Sequence, residues 1–250
     1  MATALLTRDG TDLNRINRDL ANTDAAAIID WAARTFGRGL VMTSSFGAQA
    51  AVLLHLMSRR VPDIPVILVD TGYMFAETYR FVDQLTRRLK LNLKVYEPLM
   101  SAARREALYG RLWEQGESGI EQYHEMSKVE PLRRALDELK ATAWLAGLRR
   151  EQTNYRATLR TVEFRDGLYK IHPILEWSTK DVDSYFEAHD LPPHPLVHRG
   201  YVSIGDTHST RPICDGEDER AGRFGGLKQE CGLHVPETYE ERQSRDSSGL

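Results

Sequence analysis

The sequence predicts an α/β protein built on a doubly wound, mainly parallel sheet. Two patterns carry that prediction: short apolar runs alternate with helix-length amphipathic stretches, and polar or small turn residues close each run. A chain of 250 residues is also long enough to bury one core of good size.

Taken in order, Leu13, Ile16 and Leu20, then Ile28, Ile29, Trp31 and Ala32, recur at helical spacing and predict one or two amphipathic helices as an N-terminal cap. Leu40-Val41-Met42-Thr43 and Ile64-Pro65-Val66-Ile67-Leu68-Val69 read as parallel strands buried on both faces, with a helix from Ala48 to Ser58 between them. Phe75 to Lys90 is a second helix, Leu93 to Tyr96 a third strand and Ala143 to Gly147 a fourth, with helical patterns between those last two. Such alternation places a ligand crevice at the carboxyl ends of the strands. From Thr161 to Trp177 the turn signal Arg165-Asp166-Gly167 predicts a hairpin, read as a decoration on the sheet. Ser178 or Thr179 caps a further helix through Ala188. Beyond Asp190 the chain is rich in Pro, Gly, His and charge, and reads as a long, partly mobile tail. The predicted division is therefore 1–36, an N-terminal helical cap; 37–190, the α/β domain; and 191–250, a C-terminal tail.

Composition excludes several classes. A net charge of −3 argues against a general nucleic-acid binder. No run approaches the roughly eighteen apolar residues of a membrane span, and the N-terminus lacks a signal-peptide core, so a soluble cytoplasmic protein is expected. Two cysteines cannot by themselves supply the ligands of a structural zinc site or an iron–sulfur cluster. His194, His198, His208 and His234 fit no zinc spacing, and no metal is expected.

Ser44, Ser45, Phe46, Gly47, Ala48 and Gln49 run from the first strand into a helix, where a helix N-terminus favours an anion. Without a GK[ST] ending this is no Walker A loop, and alone it reads equally as an ordinary capped turn. Asp70, Thr71 and Gly72 end the second strand at the same edge; by themselves they read as a plain turn. Lys128, Arg149, Arg156, Arg220 and Arg223 stand in basic groups suited to phosphate, whereas Arg133, Arg134 and Arg150 read as solvated helix-face charge. Cys231 lies in a polar segment beside Gly232 with His234 three residues on, a setting for an accessible thiol with a depressed pKa; judged alone it is either a nucleophile or an incidental thiol. Cys214 has no such setting.

Together these segments resemble the phosphoadenylyl-sulfate reductase family, the thioredoxin-dependent enzymes of sulfate assimilation. The resemblance runs from about residue 12 to 236 through TSSFGAQAAVLLHL, DIPVILVDTGYMFAETYRFVDQLT, SKVEPLRRALDELKATAWLAGLRREQ, GYVSIGDTHSTR and KQECGLH, all in family order. It implies an adenine-nucleotide alpha-hydrolase-like fold in which Ser44 to Gln49 and Asp70-Thr71-Gly72 line the nucleotide pocket. Lys128, Arg149, Arg156, Arg220 and Arg223 would grip the phosphosulfate and phosphate groups. Cys231 would be the nucleophile, on a C-terminal segment that closes over the site, with Tyr201 and His234 near the reacting centre. A homodimer is implied as well.

The departures sharpen this. Relatives that reduce adenylyl sulfate usually hold a four-iron cluster through an adjacent cysteine pair before the KVEPL lysine and a C-x-x-C after SIG. Here those positions read Tyr123-His124 and Asp206-Thr207-His208-Ser209, so the resemblance implies no cluster, no bound cofactor and a preference for 3′-phosphoadenylyl sulfate (PAPS). The segment GEDERAGR is closer to the cluster-bearing branch, which keeps adenylyl sulfate (APS) as the alternative substrate. With no second cysteine placed to resolve an adduct, an external dithiol, thioredoxin or glutaredoxin, would supply the electrons. Two readings from other classes fit less well: an ATP-pyrophosphatase-type adenylylating enzyme would carry SGGxDS where this chain has SSFGAQ, and a nucleotide-sensing module would have no use for KQECGLH.

Overall fold

The computed structural model describes residues 10–214, 217 and 221–223. Helices α1 (Gly10–Leu20) and α2 (Ala25–Phe36) lead into β1 (Leu40–Thr43), then α3 (Ala50–Arg60), β2 (Pro65–Val69), α4 (Ala76–Leu89) and β3 (Asn92–Tyr96). After them come α5 (Ala102–Tyr109), α6 (Gly116–His124), a π-helical turn at Glu125–Val129, α7 (Glu130–Glu138) and β4 (Ala143–Leu145). The short α8 (Asn154–Ala157), the strands β5 (Val162–Arg165) and β6 (Leu168–Ile171), and α9 (Thr179–Ala188) complete the described α-helices and strands.

The six strands form one sheet in the order β3-β2-β1-β4-β6-β5, parallel throughout except for the β5–β6 pair. The α/β prediction and the four predicted strands hold. The hairpin corrects one expectation: β6 pairs parallel with β4, Ala143 opposite Tyr169, so it widens the sheet instead of decorating it. Strand-to-strand pairing is non-local, and a turn signal reports only the hairpin's own two strands.

One face of the sheet packs against α2, α3, α4 and α9 through Ile29, Leu54, Phe81, Val182 and the strand residues Leu40, Met42 and Leu145. The other is covered by α7 through Leu132, Ala135 and Leu136 on Val41, Ile67 and Trp144. Burial on both faces is why β1 and β2 read as continuous apolar runs. Ser178 caps α9 by accepting from the Asp181 N–H, while Asp181 accepts in return from the Ser178 N–H at 2.7 Å, a reciprocal capping box.

The expected tail beyond 190 does not detach in its described part. Leu191, Leu196 and Ile204 are buried, and His194 is fully enclosed against Phe81. Its Nδ1 accepts from the Leu196 N–H at 3.1 Å, so the ring proton sits on Nε2, 3.1 Å from Thr78 Oγ1. Irregular chain packs here without any periodicity for a sequence pattern to register. Among the described residues, no helix is long and apolar enough to cross a membrane.

Candidate functional site

β2 lies on one side of β1 and β4 on the other, so the direction of winding reverses between β1 and β4. Chains leaving the carboxyl ends of those strands diverge there, and a crevice opens. A cavity of about 270 Å³ occupies this point. Ser44, Ser45, Gly47, Ala48 and Gln49 line it after β1, Thr71 after β2, and Gly147 and Arg149 after β4; Lys128, Gln152, Arg156 and Arg223 close its sides.

The loop after β1 curls around the cavity because Phe46 adopts a left-handed backbone, φ 49°, unusual for a bulky residue. Complete burial of its ring in the main core holds it there, and the Phe46 N–H donates to Ser44 Oγ at 3.1 Å. Phe46 therefore shapes the pocket from behind and its side chain does not line it. Asp70 and Gly72 also stay outside: the Asp70 carboxylate accepts from the Gly72 N–H at 2.8 Å and from the Tyr79 hydroxyl at 2.7 Å, closing the turn that Gly72, at φ 79°, permits. Tyr201 packs edge-on against Phe75, outside the cavity. Cys231, Arg220 and His234 lie outside the described residues, and Cys214 is exposed.

Two buried cations face each other across the crevice. Arg149 is 1% exposed and donates to Gln49 Oε1 at 2.8 Å and, through its other terminal nitrogen, to Glu151. Glu151 also takes the Thr179 hydroxyl at 2.5 Å; that bond, ahead of the arginine, holds its carboxyl below the usual range against a smaller effect of burial. Arg156 reaches Gln152, whose side-chain oxygen also accepts from the Arg149 N–H, so a neutral amide ties the two arginines together.

On the opposite wall Lys128 Nζ lies 2.6 Å from Asp206 Oδ2, both groups nearly dry. Thr71 Oγ1 donates to the other carboxylate oxygen at 2.5 Å. Burial alone would raise the Asp206 carboxyl, but the Lys128 charge and these bonds override it and hold it well below the carboxylate range. The π-helical turn aims Lys128 inward, and an isolated Met74–Asp206 bridge brings Asp206 to the β2 end.

Behind this pair the His208 ring stacks on Trp113, centroids 3.8 Å apart, and meets Tyr73 and Tyr123 edge-on. Burial pulls His208 down to about 4 and pushes the Tyr123 hydroxyl up. The segments singled out in sequence as Tyr123-His124 and Asp206 to Ser209 are thus brought together by the packing of Tyr123 on His208, with the Lys128–Asp206 pair beside them. Arg223 crosses Gly205 so closely that a Cβ there would fall 1.9 Å from its guanidinium, and it donates to Thr210 at 2.9 Å. Among the described residues no group of three His, Cys, Asp or Glu side chains converges as metal ligands. Sequence reasoning missed Asp206 as the partner of Lys128, and missed Gln152; the polar run GDTHST was the only signal for the first.

A doubly wound α/β protein with a cation-lined cavity at its switch point is built to take a nucleotide carrying several anionic groups. Residues 39–212 match the family described as phosphoadenosine phosphosulfate reductase domain. The chain is 56% identical over 241 residues to the phosphoadenosine 5′-phosphosulfate reductase of Synechocystis sp., covering 96% of this chain and 97% of that one. To the enzyme of the same description from Alkalilimnicola ehrlichii it is 55% identical over 223 residues, 89% of this chain and 91% of the relative. Among solved structures, the phosphoadenylyl-sulfate reductase of Candida auris, a phosphate complex, superposes with a TM-score of 0.73 at 29% identity, over 82% of this chain and 99% of that one. An FMN adenylyltransferase from Candida glabrata shares the fold alone, TM-score 0.58 at 13% identity, over 97% and 84%. The chain belongs to the phosphoadenosine phosphosulfate reductase family.

Proposed function

We propose that the protein is a cytoplasmic oxidoreductase of sulfate assimilation that reduces PAPS to sulfite and adenosine 3′,5′-bisphosphate. The observation that carries this reading is the pairing of a cation-lined cavity at the switch point with relatives of that description along nearly the whole chain. Ser44, Ser45 and Gly47 to Gln49 would hold the nucleotide on the β1 side, while Arg149, Arg156, Lys128, Arg223 and, outside the described residues, Arg220 meet its anionic groups.

In the first step the Cys231 thiolate attacks the sulfonate sulfur. An S–S bond forms, the sulfur–oxygen bond to the phosphate breaks, and that oxygen leaves on adenosine 3′,5′-bisphosphate with its electron pair, stabilised by the arginines. In the second, a dithiol of the thioredoxin or glutaredoxin type attacks the Cys231 sulfur. Sulfite departs with the bonding pair, and a second thiol of the donor displaces Cys231 as thiolate, leaving the donor a disulfide. The reading includes no bound cofactor and a homodimer. His234 and Tyr201 belong to it as residues near the reacting centre, as the resemblance implies.

The test is sulfite release from PAPS and from APS with reduced thioredoxin. Sulfite from PAPS in preference to APS is expected. Preference for APS would replace the substrate, and pyrophosphate release from ATP without sulfite from either nucleotide would overturn the reading.

A further inference from the structure

The two edges of the sheet are treated differently. At β5 the first outward-facing residue is capped: the Asn17 side chain of α1 donates to the Val162 carbonyl at 2.8 Å and accepts from its N–H at 3.0 Å, mimicking one rung of a neighbouring strand. At β3 no described residue does this for Val95. The Asp70 N–H bonds the Tyr96 carbonyl, so Tyr96 and, by alternation, Lys94 and Asn92 turn their backbone groups toward β2. Leu93 and Val95 turn theirs away from the sheet. Val95 is 50% exposed, and Leu99 just beyond it is 83% exposed. An open edge with apolar side chains is a template for another strand.

The side chains around this edge say which strand fits. Lys94 and Tyr96 lie on the α7 face, where the Tyr96 hydroxyl donates to Glu138 at 3.0 Å and Arg134 approaches the Tyr96 ring. Val95 lies on the opposite face. In an antiparallel pair, directly opposed residues share a face and every second pair exchanges both backbone hydrogen bonds. A two-fold axis through Val95 meets both conditions for two copies of β3. Val95 exchanges bonds with its counterpart and the two isopropyl groups meet on one face. On the other, each Lys94 stands opposite the partner copy's Tyr96 and within reach of Glu138 beneath it, so opposite charges meet. Leu93 then opposes Glu97, whose carbonyl also accepts from Arg134 and keeps a second lone pair.

We infer that β3 is the homodimer interface, two copies pairing antiparallel about Val95 to make one continuous twelve-stranded sheet. This rests on the homodimer reading above and adds the surface, the register and the charge pairing. The crevice between β1 and β4 stays clear of the contact.

The experiment compares the parent chain with Val95→Pro, Lys94→Glu and the exchange Lys94→Glu/Glu138→Lys, by light scattering across a dilution series, with circular dichroism reporting the fold. Proline removes an outward N–H that the protomer does not use, so the folded chain should persist. Val95→Pro is expected to give monomers, Lys94→Glu to raise the dissociation constant at least roughly tenfold, and the exchange to restore the dimer. A parent chain that is monomeric at every concentration overturns both the homodimer and this surface; it would mean Lys94 guards the edge. A dimer that survives both single changes overturns the surface alone.

Discussion

The two walls of the crevice bury cations in different ways. The Arg149 guanidinium is met by the neutral Gln49 amide and by Glu151, a carboxylate whose side chain is 41% exposed. Lys128 is met by Asp206, whose side chain is 3% exposed. Glu151, half in water, can exchange its bonds to Arg149 and Thr179 for solvent and release the guanidinium to an incoming anion, whereas Asp206 is almost wholly enclosed. Under the proposed function the two walls meet the substrate differently: Arg149 exchanges its carboxylate for the anion, while Lys128 faces the anion with Asp206 still in place, and that pair also holds the π-helical turn and the 205–210 segment in register. The difference also explains how a cavity for a polyanion tolerates a carboxylate on its border.

The largest effect should come from splitting the buried pair. Asp206→Asn leaves an ammonium without its counter-charge, which typically costs about 3–5 kcal/mol, so a clear fall in Tm is expected. Lys128→Met/Asp206→Asn should recover much of that stability. If Asp206→Asn melts with the parent, the pair is not a dry clasp. On the other wall, Arg149→Lys keeps the charge but loses the fork, and kcat/KM for the nucleotide should fall roughly ten- to a hundredfold, mainly through KM. A change confined to Tm would reverse the assignment of the two walls.

The smallest effect concerns acid. His208 is held down to about 4 by burial, so as pH falls from 6.5 the unfolded chain takes up a proton that the folded ring refuses, and stability drops until about pH 4. Asp206 acts lower: its depressed carboxyl contributes fully above the unfolded value of 3.8, and the contribution fades as pH falls toward its folded pKa. His208→Phe keeps the stack on Trp113 and removes the first titration, so the loss of Tm between pH 7 and 5 should shrink. An unchanged slope would place the acid-sensitive group elsewhere, with His194, also lowered to about 4 by burial, the next to replace.

How much of this was legible in the sequence follows from the range of each interaction. β1, β2 and β4 were readable because burial on both faces writes an apolar run into consecutive residues, β3 because Leu93, Val95 and Tyr96 favour a strand, and the α9 cap because Ser178 and Asp181 lie three residues apart. The place of β6 beside β4, the closing of Lys128 on Asp206 and the packing of Leu196 and Ile204 were not, since each joins segments far apart in the chain and leaves no period behind. Phe46, Asp70 and Gly72 were found in the right loops, but local pattern does not say which side chain of a turn faces inward.

The central claim is that one thiol carries the sulfonyl group, and intact-protein mass after a single turnover tests it most directly. PAPS supplied without a dithiol should raise the mass by one sulfonate, located on Cys231 by peptide mapping and missing from Cys231→Ser. Cys214→Ser should behave as the parent does, and reduced thioredoxin should return the mass to its starting value as sulfite appears. Steady sulfite production with no dithiol present, or an adduct on any other residue, would contradict the account.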